Sequence, residues 1–170
     1  MKAQTSKSDQ PMRREDRGHA PPPPVRLAGL GVAVPPYQMT QHQARQSAER
    51  IFGGRLLDFS RLVKSFDTAG VERRYSVAPL DWFETPKTWP ERTEVYLEGA
   101  TALFIEAARS ALADADLEPA DIDAVVTISS TGIATPTLEA RAFREIGFRS
   151  DIHRTPIFGL GCAGGVSGMA

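Results

Sequence analysis

The sequence contains a single cysteine, Cys162, among its 170 residues, so no disulfide can form within the chain. This count is typical of a reducing compartment, and we expect a cytoplasmic location. Long apolar runs are also missing, since none approaches the roughly 18 residues that a membrane-spanning helix requires. The formal net charge is only −1, which gives no electrostatic reason to expect nucleic acid or an anionic membrane as a partner.

The first 24 residues differ in composition from the rest of the chain. They are polar and charged and end in four consecutive prolines, which favour an extended backbone without a core. We interpret residues 1–24 as a disordered, proline-rich leader and residues 25–170 as one folded domain. Because the charge of the leader is small, a solvated tail is favoured over a docking or targeting arm.

From residue 25 onward, strand-like and helix-like segments alternate, which predicts an α/β fold with helices on both faces of a sheet. Strands are predicted over 25–34, 70–77, 124–128 and 155–160, and helices over 40–52, 56–66, 93–115, 138–146 and 162–170. Residues 79–90 read as an irregular connection. The helix over 93–115 has the clearest pattern, because its apolar side chains recur at helical spacing: Leu97, Ala100, Phe104, Ala107, Ala108, Ala111 and Leu112.

A glycine-rich motif around Cys162 is the most informative feature of the chain. It reads Gly-Leu-Gly-Cys-Ala-Gly-Gly over residues 159–165, between a predicted buried strand and a predicted helix. A cysteine at the start of a helix lies near unpaired backbone N–H groups, which favour the nucleophilic thiolate. The same N–H groups can stabilise the oxyanion that forms when sulfur attacks a thioester carbonyl. We interpret Cys162 as a nucleophile of acyl transfer; the alternative is a small buried hydrophobe, the usual role of a free cysteine.

Two motifs, in their order and spacing, resemble the N-terminal half of bacterial type III polyketide synthases, the chalcone synthase-like branch of the thiolase superfamily. The first reads Ser-Ser-Thr-Gly-Ile-Ala-Thr-Pro over 129–136, and the second is the motif at 159–165. The similarity extends from residue 25 to residue 170 and includes 70–75 and 117–123. It implies the N-terminal half of a thiolase-like layered sandwich, with a mixed sheet, truncated within the central cysteine helix.

The resemblance implies a decarboxylative Claisen condensation with Cys162 as the nucleophile. Similar enzymes load an acyl group from coenzyme A onto the cysteine and extend it with malonyl-CoA, so both thioesters are expected substrates, with no cofactor and no metal. The family also uses a histidine and an asparagine from its C-terminal half. None of His19, His42 and His153 occupies such a position. We therefore expect full turnover to need the C-terminal half, in a family whose full-length members are homodimers.

The resemblance also implies substrate-binding roles in two segments. Arg61 and Lys64 lie three positions apart and align with basic residues that hold coenzyme A phosphates in similar enzymes. An ordinary solvated helix face is the alternative. Ser130, Thr131 and Thr135 match positions that line the active-site cavity, and Thr135 corresponds to a loop residue that reaches toward the partner subunit. A run of hydroxyls after a strand is otherwise a routine turn.

The sequence also bears on the product, and it leaves two other classes of function open. Residues 72–83 are similar to bacterial synthases that extend long fatty acyl starters, which favours alkylpyrones or alkylresorcinols as products. The second enzyme class is an initiating β-ketoacyl carrier-protein synthase. The third reading is a non-catalytic fragment or partner-binding module.

Overall fold

The computed structural model describes residues 24–54 and 58–170. The strands are β1 (Tyr37–Thr40), β2 (Arg73–Ser76), β3 (Ala124–Ser129) and β4 (His153–Phe158). The helices are α1 (Gln41–Phe52), α2 (Phe59–Leu62), α3 (Lys64–Thr68), α4 (Trp89–Ala115), α5 (Leu138–Ile146) and α6 (Ala163–Met169), with 3₁₀ turns at Leu80–Glu84 and Pro119–Asp121. Except for Pro24, the predicted leader lies outside the described residues.

The described strands form two separate pairs. Strands β1 and β2 run antiparallel, with Tyr37 opposite Ser76. Strands β3 and β4 run parallel, with Ala124 opposite His153 and Ser129 opposite Phe158. A parallel pair needs a crossover connection, and α5 lies in that connection. None of the helices in the described part of the chain combines the length and apolarity needed to cross a lipid bilayer.

Helices α5 and α6 lie on opposite faces of the β3–β4 pair. Successive side chains of β3 point to opposite sides, so neighbouring residues of the strand contact different helices. On one face, the Thr127 hydroxyl donates a hydrogen bond to the Glu139 carboxylate of α5, with 2.7 Å between the oxygens. On the other face, Ile128 lies against α6. A Cβ placed on Gly164 of α6 would lie only 2.6 Å from Ile128 Cγ2, so the close approach of this helix requires glycine. The predicted α/β architecture is therefore confirmed.

Helix α4 packs against α5. Its Ile105 forms a buried core with Ala142 and Ile146 of α5. The half-buried side chains that surround this core are Phe104, Ala108, Leu112 and Phe148. Full burial of an isoleucine side chain such as Ile105 or Ile146 stabilises the fold by about 1.5–3 kcal/mol. The predicted apolar face thus contributes Phe104, Ala108 and Leu112 to this contact, but the prediction left out Ile105 at its centre.

The predicted strand over 25–34 is wrong. This segment has no strand partner among the described residues and lies on α4 instead. The Leu30 N–H donates a hydrogen bond to Asp114 Oδ2 at 2.9 Å. A Cβ on Gly31 would lie 2.1 Å from the carbonyl oxygen of Ala107, so the chain approaches the helix more closely than any other residue would permit. Alternating apolar residues indicated a sheet, whereas the glycines between them serve packing on a helix.

Other helices follow the sequence patterns closely. The side chain of Thr40 accepts a hydrogen bond from the Gln43 N–H at 3.1 Å and begins α1, as its position before the helix predicts. Helix α5 spans the predicted range, and α4 begins four residues before the predicted start. The helix predicted over 56–66 is divided into α2 and α3 around Val63, which keeps helical backbone angles of φ −60° and ψ −29°. Residues 56 and 57 lie outside the described part.

The apolar sequences of β3 and β4 predict buried strands, but Thr127 is the one buried residue in the two strands. Within β4 only Ile157 is half-buried, and Phe158 is exposed. Val126 and Ile128 of β3 also remain exposed. The physical reason is the small sheet, because β4 pairs with β3 along one edge and with no described strand along the other.

A capping box fixes the start of α4. The Glu91 carboxylate accepts a hydrogen bond from the Thr88 N–H at 2.7 Å and one from the Thr88 hydroxyl, and these bonds lower the pKa of Glu91. We expect Thr88→Ala to lower the free energy of unfolding by about 1 kcal/mol, because a helix end loses its side-chain partner. Urea denaturation measures this change. Thr88→Ser should restore the wild-type value, and equal stability of Thr88→Ala and wild type would contradict the prediction.

Candidate functional site

Cys162 lies at the N-cap of α6, in the turn that follows β4, and its side chain is exposed. The alternative of a small buried hydrophobe therefore does not describe it. We call residues 159–162 the cysteine turn. Gly159 and Gly161 have φ angles of 82° and 53°, a region that side chains other than glycine rarely adopt. The N–H of Ala163 closes the turn with a hydrogen bond to the Leu160 carbonyl at 3.2 Å.

The two glycines that follow Ala163 in α6 have different surroundings. The Gly164 N–H donates to the Gly161 carbonyl at 3.1 Å, which continues the turn into α6. A Cβ on Gly165 would meet no atom within 4 Å. Gly165 therefore lies in open space, whereas Gly164 packs against Ile128 of β3.

A loop after β3, residues 130–137, lies beside the cysteine turn, and we call it the hydroxyl loop. The Ser130 hydroxyl donates a hydrogen bond to the Gly161 carbonyl at 3.3 Å. The Gly159 N–H donates to the Ser129 carbonyl at 3.4 Å. These contacts bring the two predicted site segments together, and Ser130 bonds to the residue that precedes Cys162.

Thr131 and Thr135 lie in the hydroxyl loop and line one cleft, whereas Ser130 does not line it. The cleft has a volume of about 500 Å³ and lies against α4, so we call it the α4 cleft. Its other lining residues are Trp89, Arg92, Thr93, Tyr96, Leu97, Gly132 and Ile133. Both threonines are exposed. The structure thus places two hydroxyls and several apolar side chains around one opening.

Tyr96 separates the α4 cleft from a second cavity. Its hydroxyl lies 2.6 Å from Ser129 Oγ, and Ser129 in turn donates to the Gly132 carbonyl at 2.8 Å. A Cβ on Gly132 would lie 2.5 Å from the Tyr96 ring, so the ring and the loop are in close contact. The second cavity, the β4 cavity, has a volume of about 220 Å³ and is lined mainly by apolar residues, among them Ala134, Leu138, Pro156 and Ile157.

Sequence reasoning missed Tyr96 and Glu139. The available signal for Tyr96 was its position four residues before Ala100, which places both on one face of α4. Glu139 gave no signal, because an acidic residue in the first turn of a helix is ordinarily an exposed dipole partner. In the structure it is only 2% exposed.

Arg61 and Lys64 are both exposed and lie on α2 and α3, with Val63 between them in helical conformation. Their spacing on one helical run is therefore kept. No acidic side chain in the described part of the chain forms an ion pair with either. Neither residue lines the α4 cleft or the β4 cavity. The structure therefore places these two cations in neither cavity.

Several known proteins are similar to this chain, and residues 36–169 match the family described as FAE1/Type III polyketide synthase-like protein. A putative chalcone synthase of Bacillus subtilis (strain 168) is 32% identical over 149 residues, covering 85% of this chain and 41% of that protein. The 1,3,6,8-tetrahydroxynaphthalene synthase of Streptomyces peucetius subsp. caesius is 33% identical over 143 residues, covering 84% and 38%. The crystal structure of the Streptomyces coelicolor A3(2) tetrahydroxynaphthalene synthase superposes with a TM-score of 0.71 at 29% identity, covering 82% and 40%. The chain thus spans about 40% of the length of these relatives.

Proposed function

Since this chain belongs to the FAE1/type III polyketide synthase-like family, we propose that Cys162 accepts the starter acyl group in a type III polyketide synthase. The observation that carries the proposal is the exposed thiol in a glycine turn to which Ser130 of the hydroxyl loop is bonded. A buried thiol could not meet a substrate. An exposed thiol can, and the hydroxyl loop bonded to its turn contributes Thr131 and Thr135 to the α4 cleft.

The loading step exchanges one thioester for another. The Cys162 thiol gives up its proton and attacks the acyl-CoA carbonyl as a thiolate, the carbon–sulfur bond to coenzyme A breaks, and coenzyme A leaves as a thiolate that takes up a proton in place of the one Cys162 released. Malonyl-CoA then loses carbon dioxide, and the resulting enolate attacks the acyl group on Cys162, which regenerates the thiolate. In this proposal the histidine and asparagine that activate malonyl-CoA belong to the remainder of a longer protein, a homodimer in which Thr135 reaches toward the partner subunit.

For the starter we propose a long fatty acyl group, with alkylpyrones or alkylresorcinols as products. Two features support this choice: the sequence of residues 72–83, which is similar to synthases that use such starters, and the apolar lining of the β4 cavity. Tetrahydroxynaphthalene is the alternative product, because a relative at 33% identity is named for it. Arg61 and Lys64 are the proposed contacts for the coenzyme A phosphates, since fixed cations suit that charge.

The role of Lys64 is testable through charge. We expect Lys64→Ala to raise the acyl-CoA concentration for half-maximal loading about fivefold at low salt, because an exposed ion pair contributes at most about 1 kcal/mol. Lys64→Arg keeps the charge and should stay near wild type. An acyl-N-acetylcysteamine lacks the phosphates, so its loading should be insensitive to Lys64. Equal effects on both thioesters would contradict phosphate binding.

The experiment that tests the proposed function measures coenzyme A release. The purified chain is mixed with a long-chain acyl-CoA, and free coenzyme A thiol and intact protein mass are followed together. We expect one coenzyme A released and one acyl group gained for each chain. Binding of acyl-CoA without release would identify a partner-binding module instead, and it would contradict the proposal.

A further inference from the structure

Glu139 is buried without a cationic partner. It is 2% exposed, and it is the one charged side chain among the described residues that is buried. Its two carboxylate oxygens accept hydrogen bonds from the Thr127 hydroxyl, at 2.7 Å, and from the Thr137 hydroxyl. Removing a carboxylate from water is unfavourable unless hydrogen bonds compensate, and here two hydroxyls do so. The group is therefore tied to two particular neighbours.

These two neighbours belong to different parts of the site. Thr127 is buried in the middle of β3, and Thr137 is the last residue of the hydroxyl loop. Both line the β4 cavity. One carboxylate thus joins the strand to the end of the loop, directly behind the cavity wall.

The rest of the loop has its own attachments. At its start, Ser130 is bonded to the cysteine turn, as described above. Near its end, the Arg141 guanidinium donates to the Pro136 carbonyl at 3.0 Å. Arg141 and Glu139 both come from α5, so this helix holds the C-terminal end of the loop through two side chains. Thr131 and Thr135 lie between the attached ends.

We propose that Glu139 is a positioning residue for the hydroxyl loop. Its carboxylate sets the distance between the loop and β3, and thereby where the loop hydroxyls stand relative to Cys162. The inference rests on the proposed function, because it takes the loop as part of the acyl-binding site. A displaced loop impairs loading of a bulky acyl-CoA, whereas it leaves the reaction of the exposed thiol with a small reagent unchanged.

Four variants separate positioning from stability. Glu139→Ala removes both hydrogen bonds. Glu139→Gln keeps an acceptor for one threonine and offers an N–H donor to the other, so it is the conservative rescue. Thr137→Val removes the hydrogen bond between residue 137 and Glu139. It leaves helix capping unchanged, because the Thr137 side chain does not cap α5. Glu145→Ala, on an exposed face of the same helix, is the matched control.

Two measurements decide the proposal. The first is amide hydrogen exchange of residues 131–137, read by mass spectrometry, which needs no substrate. The second is the rate of Cys162 acylation by a long-chain acyl-CoA, divided by the rate of its alkylation by iodoacetamide. We expect Glu139→Ala to speed loop exchange about tenfold and to lower the rate ratio by about 10- to 100-fold, since small displacements of a site cost factors of this size. Thr137→Val should show the same changes to a smaller extent, and Glu139→Gln should stay within about threefold of wild type.

The outcomes distinguish this inference from the proposed function. The inference is overturned if amide hydrogen exchange of the loop is as slow in Glu139→Ala and Thr137→Val as it is in Glu145→Ala. This holds whatever the acylation result. Faster exchange with an unchanged rate ratio also overturns it, because the loop would then not position the acyl group. A wild-type chain that takes no acyl group contradicts the proposed function alone, and hydrogen exchange then decides whether Glu139 holds the loop.

Discussion

Replacing Cys162 with alanine is expected to abolish acyl loading, with no coenzyme A released and no acyl mass gained. The chain has no second cysteine, so no other thiol can take over the reaction. The fold should survive the change, because the Cys162 side chain is exposed and makes no capping hydrogen bond to α6. The loss would therefore report chemistry and not unfolding.

Cys162→Ser is the matched variant for this prediction. It keeps the size of the side chain but supplies a hydroxyl, which is a weak nucleophile without an adjacent general base. We expect very slow loading in Cys162→Ser and an unfolding midpoint in urea equal to wild type for both variants. Normal loading of Cys162→Ala would contradict the prediction and would place the acyl group on an oxygen or nitrogen.

A methyl group added to Gly164 is expected to reduce loading sharply. The new Cβ would lie 2.6 Å from Ile128 Cγ2, closer than van der Waals contact allows, so α6 must move away from β3. Overpacking of this kind costs about 1–3 kcal/mol of stability. Cys162 is attached to the same helix, and a displacement of about 1 Å at a reacting group can cost about a hundredfold in rate. We expect Gly164→Ala to lower the loading rate at least about tenfold.

The neighbouring glycine provides the control for this effect. A Cβ on Gly165 meets no atom within 4 Å, so Gly165→Ala adds the same methyl group to the same helix without a clash. Alanine also favours the helix over glycine by about 1 kcal/mol. We therefore expect Gly165→Ala to load at about the wild-type rate and to be at least as stable as wild type in urea, whereas Gly164→Ala should be lower in both. Equal loading in both would show that contact between α6 and β3 does not position the thiol.

Local signals explain why several elements were predictable. Thr40 caps α1 with its own side chain, and Gly147 ends α5 with a φ angle of 94°. Thr88 gives the same kind of signal for α4, which the prediction of a start at residue 93 overlooked. Such signals depend on neighbours three or four residues apart, which a sequence displays directly. The family resemblance, read from the motifs at 129–136 and 159–165, is confirmed by the match over residues 36–169.

Long-range contacts explain what the sequence did not predict. The hydroxyl of Tyr96 meets Ser129, 33 positions away, and Glu139 meets Thr127, 12 positions away. Neither pairing leaves a local pattern. The segment over 25–34 carries the alternation of a strand, yet its partner in the structure is α4. The assignments of Arg61 and Lys64 stay predictions, because neither the α4 cleft nor the β4 cavity includes them.

The measurement that tests the central claim most directly is the location of the acyl group. The chain is incubated with a long-chain acyl-CoA, digested and mapped by tandem mass spectrometry, before and after treatment with neutral hydroxylamine, which cleaves thioesters. The account predicts one acyl group, on the peptide that contains Cys162, and its loss after hydroxylamine. An acyl group that resists hydroxylamine, or one on another peptide, would contradict the claim that Cys162 is the acyl acceptor.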